Sequence, residues 1–191
     1  MKENKIDTSK FDIRISNIES EAVFDNDGEN DYRYLLKRIW DDKYKDMASV
    51  ILFNPSYADE YLYDYTSMKV INFLIKEKKY KGVYILNLYP IIKPKRKNVI
   101  KEFKLINQEQ NDFYIKKAIK ESKDIYIGWG THKSNKTRIR EIISMLEKNN
   151  HKKVYELTDK EENAKHPSRM TIDSCLEKDL DQLRKDIDKI N

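Results

Sequence analysis

Two kinds of apolar pattern alternate along this chain. Short unbroken runs, such as Val50-Ile51-Leu52-Phe53 and Val83-Tyr84-Ile85-Leu86, are separated by stretches where apolar residues return every three or four positions. An unbroken run of strand length suits a strand buried on both faces of a parallel sheet, and the three-to-four spacing suits a helix with one apolar face. The pattern predicts strands over 48–53, 83–88, 124–127 and 153–157. It predicts helices over 65–79, 98–122 (broken near Asn107), 135–149 and 173–190. Met68, Ile71, Phe73 and Leu74 mark the first helix, with Lys81-Gly82 expected to close it. Leu176, Leu180, Leu183 and Ile187 mark the last. Alternation at Phe11, Ile13 and Ile15 predicts an edge strand within 11–24. The turn signal Asp25-Asn26-Asp27-Gly28 then makes Tyr32 to Trp40 the second arm of a hairpin. Strands alternating with helices give the expected fold: a three-layer α/β/α domain with a central, mostly parallel four-stranded sheet, plus an N-terminal hairpin. A single domain is expected over 11–191, with residues 1–10 frayed.

Composition narrows the function classes. The chain has 191 residues, enough for one sizeable core. Its single cysteine, Cys175, allows no internal disulfide, so a reducing compartment and a packing role are expected. The first ten residues lack the apolar stretch of a secretory signal, and no run reaches the roughly 20 apolar residues of a membrane span. The expectation is a cytoplasmic protein with no membrane partner. The sequence shows neither a glycine-rich phosphate loop nor metal-ligand spacing among its three His and one Cys, so no cofactor and no metal are expected. Net charge is +5. Basic residues cluster at Lys93, Lys95, Arg96 and Lys97, and again at Lys133, Lys136 and Arg138. Both clusters follow strand ends, where they would either meet nucleic acid or form a solvated lysine surface.

In open α/β sheets ligands bind beyond the carboxyl ends of the strands. Four such ends carry marked polar residues here: Asn54-Pro55-Ser56, Asn87, Gly128-Trp129-Gly130 and, after the last parallel strand, His166-Pro167-Ser168. An Asn amide both donates and accepts, which suits reading the edge of an amide-like ring. A His on the opposite wall suits a developing negative charge. Asp64 and Thr66 precede a helix and read as caps, and Arg33 and Arg38 read as partners of Asp59 or Asp64 that fix the intervening loop.

The set Arg33/Arg38-Trp40-Asp41, Asn54-Pro55-Ser56-x-Ala58-Asp59, Asp64-x-Thr66, Asn87-Leu88, Trp129-Gly130 and His166-Pro167 resembles domain-of-unknown-function family 1643, over roughly residues 22 to 170. The same strand ends also resemble the uracil-DNA glycosylase superfamily. There a first motif after a buried strand reads Gly-x-Asn-Pro-Gly in some branches, a middle strand ends in an Asn, and a late motif reads His-Pro-Ser. That resemblance implies that Asn54 positions a water, Asn87 reads the base, and His166 stabilises the uracil anion. Ser56, Tyr57 and Trp129 would line the base site, while Arg169 and Met170 would enter the minor groove with Met170 as a wedge. Leu52 stands where the motif opens with Gly, and Ser56 stands where several branches have Gly. The added side chains narrow the pocket. The resemblance therefore implies a diverged, pseudo-glycosylase domain that binds nucleic acid or protein; the alternative is an active uracil-DNA glycosylase or nucleotide-processing hydrolase. The implied partners are DNA, single- or double-stranded, or, by fold analogy, a DNA-mimicking glycosylase inhibitor protein.

Overall fold

The computed structural model describes residues 12, 14–25, 32–92, 108–130, 135–151 and 153–189. One seven-stranded sheet runs through them. Strands β1 (Glu19–Phe24), β2 (Arg33–Ile39), β3 (Met47–Leu52), β4 (Gly82–Asn87), β5 (Ser122–Ile127), β6 (Lys153–Thr158) and β7 (Ser174–Asp179) lie in the order β1-β2-β4-β3-β5-β6-β7. The four strands expected from the apolar runs are the parallel centre, β4-β3-β5-β6. The sheet is nevertheless wider than the four strands expected. The N-terminal hairpin joins it through antiparallel pairing of β2 with β4, and β7 adds an antiparallel strand at the other edge.

Two local expectations are corrected. Gly82 does not close the first helix; it opens β4. A Cβ built there would lie 2.3 Å from the Arg38 carbonyl oxygen, so the close approach of β2 requires a glycine. Helix α1 (Tyr65–Lys76) ends instead at Glu77, followed by Lys78 in a left-handed conformation at φ 52°. The expected helix over 173–190 begins with a strand, Ser174–Asp179. Leu176 fits the helical spacing, but residues 174–179 pair with β6, where Lys153–Glu177 (2.7 Å) and Lys178–Glu156 (2.6 Å) bridge the strands. The helix proper, α4, spans Leu180–Lys189.

Helices α2 (Gln108–Glu121) and α3 (Lys136–Lys148) complete the covering layers. Side-chain alternation on β3 explains why its sequence is apolar at every position but Ser49, whose hydroxyl meets that of Ser122 at 2.8 Å. Ala48, Val50 and Leu52 face α1, packing with Val70, Ile71 and Leu74, whereas Met47, Ile51 and Phe53 face Ile115, Ile119 and Ile142 of α2 and α3. Burial on both faces thus fixes the strand register. Chain order along the parallel strands reverses direction between β3 and β5, which makes the crevice beyond their carboxyl ends the preferred ligand position for such a sheet.

Candidate functional site

A cleft of about 260 Å³ opens beyond the carboxyl ends of β3 and β4, on the α1 face. It is smaller than the ~300–1,000 Å³ of typical small-molecule sites, a size suited to one ring and not to a whole dinucleotide. Asn54, Ser56, Tyr57, Asn87 and His166 all line it, together with Arg33, Asp64 and Thr66. The fold thus gathers residues that are up to 133 positions apart in the chain.

Asn87 forms the floor. On β4, Val83 and Ile85 face α1, so alternation places Asn87 where a third apolar residue would be expected. Its side chain is 2% exposed, and its Nδ2 meets no acceptor among the described residues. A buried amide left without a partner costs about 1–3 kcal/mol. The backbone around it is firmly held. Asn111 of α2 donates to the Asn87 and Leu88 carbonyls, both at 3.2 Å, and Arg138 of α3 donates its Nε to the Leu88 carbonyl at 2.9 Å. Neither Asn111 nor Arg138 was read from the sequence as a support of Asn87. The signal was present, because both are polar residues on the apolar face of their helices: Asn111 aligns with Ile115 and Ala118, and Arg138 with Ile142 and Met145.

The opposite wall is the turn at His166. It caps a short 3-10 turn, Pro167–Arg169, and its Nδ1 accepts the Ser168 backbone N–H at 3.2 Å and lies 2.8 Å from the Ser168 hydroxyl. An Nδ1 that accepts leaves Nε2 as the ring nitrogen that carries a proton. The ring is therefore set as a hydrogen-bond donor. Two contacts seat this turn on the sheet. Lys69 of α1 donates to the Pro167 and Met170 carbonyls at 3.0 and 2.9 Å. Gly128, at the end of β5, admits Pro167: a Cβ there would come within 3.1 Å of the proline ring.

The rim is the loop between β3 and α1. Asn54 turns its Nδ2 toward the Pro55 carbonyl (3.0 Å) and the Ile91 carbonyl (3.5 Å), an arrangement that ties the loop to the segment after β4. Arg33 and Arg38 reach from β2 into the same loop and donate to the carbonyls of Ala58 and Asp59. Burial pushes the Arg33 guanidinium down to about 10 against the pull of Asp64, so it stays charged at neutral pH. Its Nε, like the Asn87 amide, meets no acceptor among the described residues.

Asp64 is the N-cap of α1, in a capping box with Ser67. Burial alone would raise its carboxyl, but hydrogen bonds from Ser67, Ser56 and Thr66 outweigh it and hold the group below its ordinary 3.8. A carboxylate depressed in this way contributes stability above its unfolded value, and that contribution is lost as pH falls through the folded one. Asp64→Ala should therefore cost about 1 kcal/mol at pH 7. In urea titrations the gap between variant and parent should narrow as pH falls below about 4.

Other residues singled out from the sequence lie elsewhere. Trp129 is buried against the α2/α3 face, away from the cleft. Met170 is 7% exposed and packs beneath α1 with Val70 and Leu74, so it is not placed as a wedge; Arg169 is exposed. Arg138 is turned inward, paired with Asp112 at 2.6 Å and Glu141 at 2.9 Å. Lys136 is half-buried. Lys93, Lys95, Arg96, Lys97 and Lys133 lie outside the described residues. Cys175 is half-buried on β7 with its thiol pushed up by burial, which is poor ground for a nucleophile. A larger groove of about 870 Å³ runs between α2 and α3, on the far face of the sheet from the strand-end residues. Two of its carboxylates, Asp112 and Glu141, are held by Arg138, and a third, Glu121, accepts from Tyr84.

Among the described residues no group of three or more His, Cys, Asp or Glu is placed to hold a metal, and no helix is long and apolar enough to cross a membrane. No curated protein and no solved structure is a significant match to the chain. A family model does match, over residues 33–168, which runs from the first cleft arginine to the serine beside His166. That span covers most of the sheet and every lining residue of the cleft, and it is the basis for the assignment: the chain belongs to the family described as protein of unknown function, DUF1643.

Proposed function

We propose that this protein is a diverged relative of the uracil-DNA glycosylases that holds a uracil-type base in the strand-end cleft without efficient excision. The observation that carries the reading is the buried Asn87 amide, held rigid from behind and without an acceptor for its Nδ2 among the described residues. A ring with adjacent carbonyl and N–H groups offers such an amide both partners at once, the bidentate logic by which Asn and Gln read bases. His166 lines the same cleft on its opposite wall.

Excision needs more than recognition. Water must attack the sugar carbon as the glycosidic bond breaks, and a positioned group must take up its proton. Asp64 is the one carboxylate lining the cleft among the described residues, and it is engaged as a helix cap with a depressed pKa, which makes it a weak base. It also occupies the N-terminus of α1, the seat a phosphate would otherwise take, which argues against a nucleotide hydrolase.

The test is incubation of the protein with labelled single-stranded and duplex oligonucleotides carrying one uracil, followed by alkali treatment and by gel shift at low and moderate salt. The expected result is salt-sensitive shifting without strand cleavage. Cleavage that disappears in Asn54→Ala and His166→Ala would instead establish a working glycosylase.

A further inference from the structure

The loop from β3 to α1, which contributes Tyr57 to the cleft, exposes one aromatic ring after another. Tyr57, Tyr61 and Tyr65 are 75%, 81% and 76% exposed, and Tyr63 and Leu62 are also open to solvent. Tyrosine rings normally gain from burial, so a run of exposed ones concentrated in nine residues marks a contact surface. The loop that carries them is ordered by its own hydrogen bonds. The Asp59 carboxylate accepts from the Tyr61 and Leu62 amides at 2.8 and 2.7 Å, and the Arg38 guanidinium lies 4.7 Å from the Tyr63 ring centre. Lys69 stands 5.8 Å from the Tyr65 ring. The platform is continuous with the cleft, since Tyr57 belongs to both.

We infer that this platform binds single-stranded nucleic acid, stacking the bases that flank the one held over Asn87. The inference rests on the base-binding reading of the cleft. Two observations select an unpaired strand over a duplex. Exposed tyrosines present faces on which unpaired bases stack regardless of sequence. A protein that takes a base out of a duplex must also meet the cost of unstacking it, and Met170, the residue expected to serve as a wedge, is buried beneath α1.

The experiment is fluorescence anisotropy with a fluorescein-labelled oligothymidylate, alone and annealed to its complement, at one fixed salt concentration. The single strand should bind at least ten times more tightly than the duplex. Tyr61→Ala and Tyr65→Ala should each weaken single-strand binding about tenfold, in line with base stacking on aromatic residues. Tyr61→Phe and Tyr65→Phe keep the ring face and should bind nearly as the parent does. All four changes lie on the surface, and thermal melting should confirm intact folding. Duplex binding equal to or tighter than single-strand binding would overturn the inference and leave the cleft reading in place. So would the absence of oligonucleotide binding by a protein that still binds uridine, as expected if the tyrosines serve a protein partner. Failure to bind either uridine or oligonucleotide would overturn both.

Discussion

Asn87→Leu is expected to fold more stably than the parent protein and to lose base binding. The Asn87 Nδ2 is buried without an acceptor among the described residues, and Leu52, Ile85 and Ile92 share the same cleft. Replacing the amide with a side chain of similar length removes a desolvation cost of about 1–3 kcal/mol and adds apolar contact. For a domain of this size each kcal/mol shifts the melting temperature by about 2–4 °C. A rise of several degrees is therefore expected. The same change removes both partners that a carbonyl-and-amide ring edge would meet, a loss of about tenfold to a hundredfold in affinity. Stability and binding moving in opposite directions is the signature of a group kept for function at the expense of the fold. An Asn87 that served only to pack would give a variant that is less stable, with binding either unaffected or lost through unfolding.

Arg38→Ala is expected to be the most destabilising single change at the site. Arg38 is fully buried and links three parts of the structure: its own strand β2, the Asp59 carbonyl in the loop from β3 to α1, and the ring of Tyr63. Truncation leaves a cavity and a carbonyl without its charged donor, together about 2–4 kcal/mol. The melting temperature should fall by about 5–15 °C. Arg38→Lys should recover only part of this, because an ammonium group cannot offer the same planar fork to two carbonyls and a ring face. A loss below about 1 kcal/mol on Arg38→Ala would mean that the loop is held by other contacts. Differential scanning calorimetry of the two variants measures the effect directly.

The parallel centre of the sheet was legible because its strands are buried on both faces, and an apolar run such as Val50 to Phe53 leaves little alternative. The outer strands were harder to read. Residues 174–179 satisfy a helical spacing through Leu176, and only the partner strand, with Lys153 reaching diagonally to Glu177, decides otherwise. Gly82 carries the sequence signature of a helix stop, whereas its role is set by the approach of a strand more than forty residues earlier. Asn54 and Asn87 were legible as polar groups at the ends of apolar runs, and His166 as a motif after the last parallel strand, because their joint placement on one edge of a parallel sheet follows from the strand order. Their supports were not. Asn111, Arg138 and Lys69 act on backbone carbonyls of distant segments, and no local pattern encodes such a contact beyond a polar residue on an apolar helix face. Trp129 shows the reverse failure: its position after β5 suggested the cleft, but side-chain alternation along that strand sends it to the opposite face.

The central claim, that Asn87 reads the edge of a uracil-type base, is tested most directly by nuclear magnetic resonance of its side-chain amide. The resonance pair is assigned by its absence in Asn87→Leu and followed while uridine is added to the nitrogen-15-labelled protein. The account predicts that the Asn87 amide protons move downfield and saturate as the orphaned donor gains a carbonyl, with no such saturating response elsewhere in Asn87→Leu. An Asn87 amide that stays in place at saturating uridine, or a variant that binds uridine as tightly as the parent, would contradict it.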